Sequence, residues 1–132
     1  MSFDNFYTII DQGEKEDASG ALDNPVRKFI FTLQLNPDHP IYKGHFPGNP
    51  VVPGVCQVQI VKELVSEILE TDLVICKSDN IKFLSMIVPS VNTLINVSIE
   101  MKEKEPGFWH ITSVITNQGQ VFLKFKGVMR PV

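Results

Sequence analysis

Residues 44–61, eighteen in all, contain no Asp, Glu, Lys or Arg, but they hold His45, three prolines (Pro47, Pro50 and Pro53) and three glycines (Gly44, Gly48 and Gly54). Proline fixes φ, and glycine allows backbone that other residues avoid. The composition therefore suits a stiff, tight loop that keeps His45 in one place. An apolar periodic segment begins where the loop ends, and the first amides of a helix have no partner inside it. The N–H groups of Gly54 and Val55 would then point at whatever sits beside His45. An imidazole titrates near pH ~6.5 and can accept a proton, while helix amides can hold a carbonyl oxygen as it becomes negative. Together they are equipment for removing a proton from the carbon next to a carbonyl. The same residues also fit a plain loop histidine capped by backbone.

The element that must carry these groups is a helix. From about Pro53-Gly54 to Glu70, the apolar positions Val58, Ile60, Val61, Leu64, Val65, Ile68 and Leu69 sweep one arc at ~100° per residue. Lys62, Glu63, Ser66, Glu67 and Glu70 form the opposite, polar arc. Val55 and Cys56 break that arc, which predicts a helix apolar nearly all round, and buried, in its N-terminal half. Gln59 in such surroundings must have a hydrogen-bond partner, because an unpaired buried amide is costly. Cys56 reads either as a small core residue or as a nucleophile activated by the helix terminus.

The remaining chain reads as sheet. Residues 26–35 alternate at Phe29, Phe31, Leu33 and Leu35, the period of a strand with one buried face. Residues 94–101 and 108–116 alternate likewise, and Asn117-Gln118-Gly119-Gln120 is a hairpin turn into residues 121–129. Residues 74–86 are apolar and β-rich, and residues 6–10 add a short edge strand. Phe29, Phe31, Phe83, Phe122, Phe125, Trp109 and His110 fall at core positions, some of which could line a tunnel. His39, before Pro40, reads as a turn residue. The charge runs at 14–17 and 102–105 read as solvated turns. One helix buried at its start, with sheet segments on both sides in sequence, implies an antiparallel sheet wrapped around a central helix.

The stretch Gly44-His45-Phe46-Pro47-Gly48-Asn49-Pro50-Val51-Val52-Pro53-Gly54-Val55 resembles the G-H-F-P-G-x-P-V-x-P-G-V signature of the 3-hydroxyacyl-ACP dehydratases of type II fatty acid synthesis. Asp79-Asn80-Ile81-Lys82-Phe83, with Val88-Pro89, is similar to a later strand motif of those enzymes, although Ser90 and Val91 stand where Gly-Asp is usual. The likeness covers about residues 26–129 and implies an α+β hotdog fold, a single domain over residues 1–132, and a homodimer or larger assembly with its site built across two subunits. It implies reversible dehydration of a (3R)-3-hydroxyacyl thioester, carried by the phosphopantetheine of acyl carrier protein, to the trans-2-enoyl thioester. His45 would be the base, with Phe46 and the Gly54 and Val55 amides binding the substrate. No metal or redox cofactor is implied, because the thioester already acidifies the α-proton.

One departure touches the chemistry. The family carries an acid fourteen positions after the histidine, where this chain has Gln59, and the usual glutamine one turn later is Glu63. A glutamine can donate a hydrogen bond to the departing β-hydroxyl but cannot give it a proton. Three accounts follow. His45 could take the α-proton and return it to the hydroxyl, with Gln59 only orienting the substrate. Glu63 could substitute as the acid, although it lies ~6 Å further along the axis and otherwise reads as a solvated side chain. Finally, the chemistry could be lost, leaving a hotdog that binds acyl chains or partners. A hotdog thioesterase is the other enzymatic reading, and it too would want a carboxylate on the helix.

Composition narrows the remaining classes. Twelve Lys and Arg against fifteen Asp and Glu give a net charge of −3, with no basic run, which argues against nucleic acid or an anionic membrane as the main partner. No apolar run reaches the ~18–20 residues that span a bilayer, and the start lacks a signal peptide's pattern, so the expectation is a soluble cytoplasmic protein. Cys56 and Cys76 form no C-x-x-C pair, and His39, His45 and His110 have no metal-ligand spacing.

Overall fold

The computed structural model describes residues 3–16, 25–44 and 48–132. Strand β1 (Tyr7–Glu16) pairs with β2 (Arg27–Leu35), a 3-10 turn (Pro40–Lys43) follows, and helix α1 (Gly54–Leu69) leads into β3 (Leu73–Phe83), β4 (Leu94–Glu105), β5 (Phe108–Asn117) and β6 (Gln120–Pro131). Among the described residues these strands form one antiparallel sheet in the order β1-β2-β4-β5-β6-β3. A sheet curled around one helix is the hotdog arrangement expected from the sequence.

The alternation read in the sequence decides which face meets the helix. Phe31, Leu33 and Leu35 of β2, Ile95, Val97, Ile99 and Met101 of β4, and Ile111 and Ile115 of β5 are buried. They close over Ile60, Val61, Leu64 and Val65 of α1. Trp109 packs at the margin of this core, and His110, one residue on, points to the opposite face. His110 is therefore not a core residue, and Phe83, 52% exposed, is not one either. The hairpin turn is of type I′, with Gln118 at φ 48° and Gly119 at φ 78°.

Three further expectations change. The edge strand runs ten residues rather than five, so Glu14 and Lys15 lie in β1, where Glu14 pairs with Arg27 of β2 at 3.0 Å; Asp17 lies outside the described residues. Residues 102–105 likewise end β4, and the turn itself is Pro106-Gly107. Charged side chains fit a strand wherever alternate positions are solvated, so charge alone does not mark a loop. The helix start also differs: Val55 is 73% exposed, whereas Gln57 is buried beside Cys56. The inward positions 56, 57, 60, 61, 64 and 65 repeat at helical spacing, and Gln57 occupies one of them.

Edge strand β3 is bulged twice, between Ile75 and Lys77 and between Ser78 and Asn80. The bulges bring the Lys77 carbonyl against Gly127 of β6, where an added Cβ would sit 2.5 Å from that oxygen. Backbone cannot yield as a side-chain tip can. Gly127→Ala should therefore lower stability by about 1–3 kcal/mol, read as a fall in Tm.

Candidate active site

His45 and Phe46 lie outside the described residues, but the elements on both sides of them are in place. Before them, His39 caps the 3-10 turn by accepting the Ile41 N–H at Nδ1, 3.1 Å, and its Nε2 meets the Asp4 carbonyl at 3.0 Å. With Nδ1 accepting, Nε2 carries the proton and donates it. His39 is a turn residue, as its place before Pro40 suggested. After them, the Val52 N–H donates to the Ile87 carbonyl at 2.9 Å, which ties the loop's second half to the β3–β4 connection. That connection holds the departure at Ser90-Val91. There the Asn92 side chain accepts the Val88 N–H at 3.1 Å, and the Val91 and Asn92 amides return to the Val88 carbonyl.

The helix begins uncapped. Pro53 occupies the N-cap in extended geometry (φ −59°, ψ 148°) and offers no side-chain hydrogen bond, and no acidic residue lies in the first turn. The Pro53 carbonyl accepts from the Cys56 and Gln57 amides at 3.0 and 3.1 Å. Helix geometry leaves the Gly54 and Val55 N–H groups without an internal acceptor, at the positive end of the macrodipole. Glycine at 54 has a local cause: a Cβ there would lie 2.8 Å from the tip of the Phe83 ring. The end of β3 thus packs against the helix start.

One turn on, Gln59 has the partner its surroundings require. Its Nε2 donates to Oε2 of Glu63 at 3.3 Å, and the other carboxylate oxygen of Glu63 accepts from the Tyr7 hydroxyl at 2.9 Å. Glu63 is therefore not the solvated side chain that its place on the polar arc suggested, and despite its place further along the axis it reaches back to Gln59. The participation of Tyr7 had no signal in the sequence, because β1 and α1 are brought together only by the fold. Gln57 was missed as well, although the helical spacing of the inward positions would have found it. Its Nε2 donates to the Val52 carbonyl at 3.4 Å, while its Oε1 and the hydroxyl of Tyr42 are buried without partners among the described residues.

Cys56 is buried, and burial pushes its thiol up from the usual value. Only the thiolate attacks, so this environment opposes the nucleophile reading. Cys76 is exposed. With a thiol reagent at mildly alkaline pH, the folded protein should lose Cys76 alone, and Cys56 should react only once the chain is unfolded; mass spectrometry of the labelled peptides checks this. Among the described residues, no three of His, Cys, Asp and Glu come together as a metal site would need, and no helix is long and apolar enough to cross a membrane.

The model of the ApeI-like family, described as ApeI dehydratase, matches residues 22–126. The chain belongs to the ApeI-like dehydratase family. Among curated relatives, the 3-hydroxyacyl-(acyl-carrier-protein) dehydratase FabZ of Rickettsia massiliae is 27% identical over 111 residues, spanning 78% of this chain and 75% of its own. Among solved structures, the dehydratase heterocomplex ApeI:P from Xenorhabdus doucetiae matches with a TM-score of 0.65 at 19% identity, covering 93% of this chain and 98% of that one. The candidate thioesterase yhdA from Lactococcus lactis matches with a TM-score of 0.67 at 12% identity, covering 97% and 95%. At such identities, the two structures speak for the hotdog fold that the ApeI-like family member adopts.

Proposed function

We propose that this family member dehydrates a (3R)-3-hydroxyacyl thioester on acyl carrier protein to the trans-2-enoyl thioester, reversibly and in the cytoplasm. The observation that carries the reading is the open first turn of α1, whose Gly54 and Val55 amides lack internal acceptors directly after the His45 loop. The thioester carbonyl accepts from those amides, which favour the negative charge that gathers on its oxygen when the α-proton leaves. His45 takes that proton, with Phe46 helping to hold the acyl group. Gln59 donates a hydrogen bond to the β-hydroxyl. The C–O bond breaks as the C=C bond forms, and the imidazolium of His45 gives its proton to the leaving hydroxide, so that water departs and the base is restored.

A second subunit completes the site in this reading. Support comes from the exposed apolar residues Val55, Phe83, Leu84 and Met86 at the helix start and the end of outermost strand β3, a grouping that favours cover by another chain. We take the partner to be a second copy; the ApeI:P heterocomplex makes a related dehydratase chain the alternative.

The test is to incubate the purified protein with 3-hydroxyacyl carrier protein of several chain lengths and follow the acyl mass. Loss of one water is the expected result. Release of free acid would make the protein a thioesterase, and a bound but unchanged thioester at every length would make it an acyl-binding subunit.

A further inference from the structure

The fold leaves one polar contact at this site that the proposed dehydration does not use. Tyr7 stands at the start of β1, half-buried, with its ring edge-on to Phe3 at 6.3 Å, and its hydroxyl reaches Glu63 across 56 positions of sequence. Burial, and after it the negative charge of Glu63, push the Tyr7 hydroxyl well above its usual value. It therefore stays protonated and remains a donor. Glu63 in turn takes an N–H of Gln59. An ionised carboxylate can only accept, so it must face the NH2 end of that amide. The choice leaves Gln59 with a second N–H and its Oε1 unpaired among the described residues, in a fixed orientation.

We propose that Tyr7 is a positioning residue: by clamping the Glu63 carboxylate it sets which end of the Gln59 amide faces the β-hydroxyl of the substrate. The proposal rests on the dehydration proposed above and adds the part played by the N-terminal strand. Without Tyr7, the one bond left to Glu63 among the described residues is the long one to Gln59, and the two side chains are free to turn together toward water. The substrate would still bind, because its carbonyl and acyl chain meet other groups, but the leaving hydroxyl would lose its aligned donor.

Tyr7→Phe keeps the ring and removes the clamp. The expected result is a kcat about tenfold lower with KM and Tm nearly unchanged, since misalignment of a single orienting group falls on the chemical step. Glu63→Ala should cost about the same, and the double variant no more than Glu63→Ala alone, because Tyr7 acts only through Glu63. An unchanged kcat in Tyr7→Phe, or losses that multiply in the double variant, would overturn the proposal. If the wild-type protein converts no thioester, the dehydration reading fails by itself. The side-chain amide of Gln59, followed by 15N–1H NMR, then judges Tyr7 separately: its signals should move in Tyr7→Phe, and signals that stay in place would refute the clamp.

Discussion

His45→Ala should lower the rate of water loss from a 3-hydroxyacyl carrier protein by about 10²–10⁴-fold, the usual worth of a positioned general base. In the mechanism proposed here the loss falls at the upper end of that range, because one imidazole both removes the α-proton and delivers the proton to the hydroxide. Removing it takes away the base and the acid together. KM should change little, since the carbonyl is held by the Gly54 and Val55 amides and not by the imidazole. Steady-state kinetics on carrier-linked substrate, with Tm to confirm the fold, make the check. A variant that keeps its rate within about threefold would rule out His45 as the base.

Gln59→Glu should raise kcat by about tenfold or more, because a carboxylic acid can hand a proton to the leaving hydroxyl where an amide can only donate a hydrogen bond. Gln59 and Glu63 are already 3.3 Å apart, so the substitution places two carboxyl groups within hydrogen-bond distance. Like charges so close resist joint ionisation, and the pair holds one proton to higher pH than either group would alone. The gain should thus be greatest on the acid side of the pH profile and fade as the shared proton is lost. A folded variant with no gain at any pH would show that the absence of a helix acid does not limit the rate, and that the return of the proton by His45 suffices.

The fold was legible wherever local chemistry determines it. The apolar arc gave the helix to within a residue at each end, and the alternation in β2, β4 and β5 gave the face that packs on it. Asn117-Gln118-Gly119-Gln120 could be read as a turn because two consecutive residues with positive φ are tolerated at few sequences. The charged ends of β1 and β4 misled, because the pairing of backbone groups, not the polarity of side chains, holds a strand together. The proposed site was legible only as a motif, since the proline and glycine spacing around the histidine is local. The Tyr7–Glu63–Gln59 chain was not, because it depends on how β1 curls over the helix. Gln57 is the opposite case: its place on the wheel, readable from the spacing of the inward positions, puts its amide in the core, where its oxygen has no partner among the described residues.

Pro53 has a consequence for how this protein could be improved or spoiled. Its extended backbone is already that of a good N-cap, and a serine or aspartate there would close the first turn and stabilise the helix by about 1 kcal/mol. The chain forgoes that stability, and the Val55 amide is left without a capping side chain. Selection for heat resistance alone would pull position 53 toward a capping side chain, and the variants it favoured would be sturdier proteins with an occupied helix start. Residue 53 is thus a position where thermal robustness and the proposed chemistry draw in opposite directions.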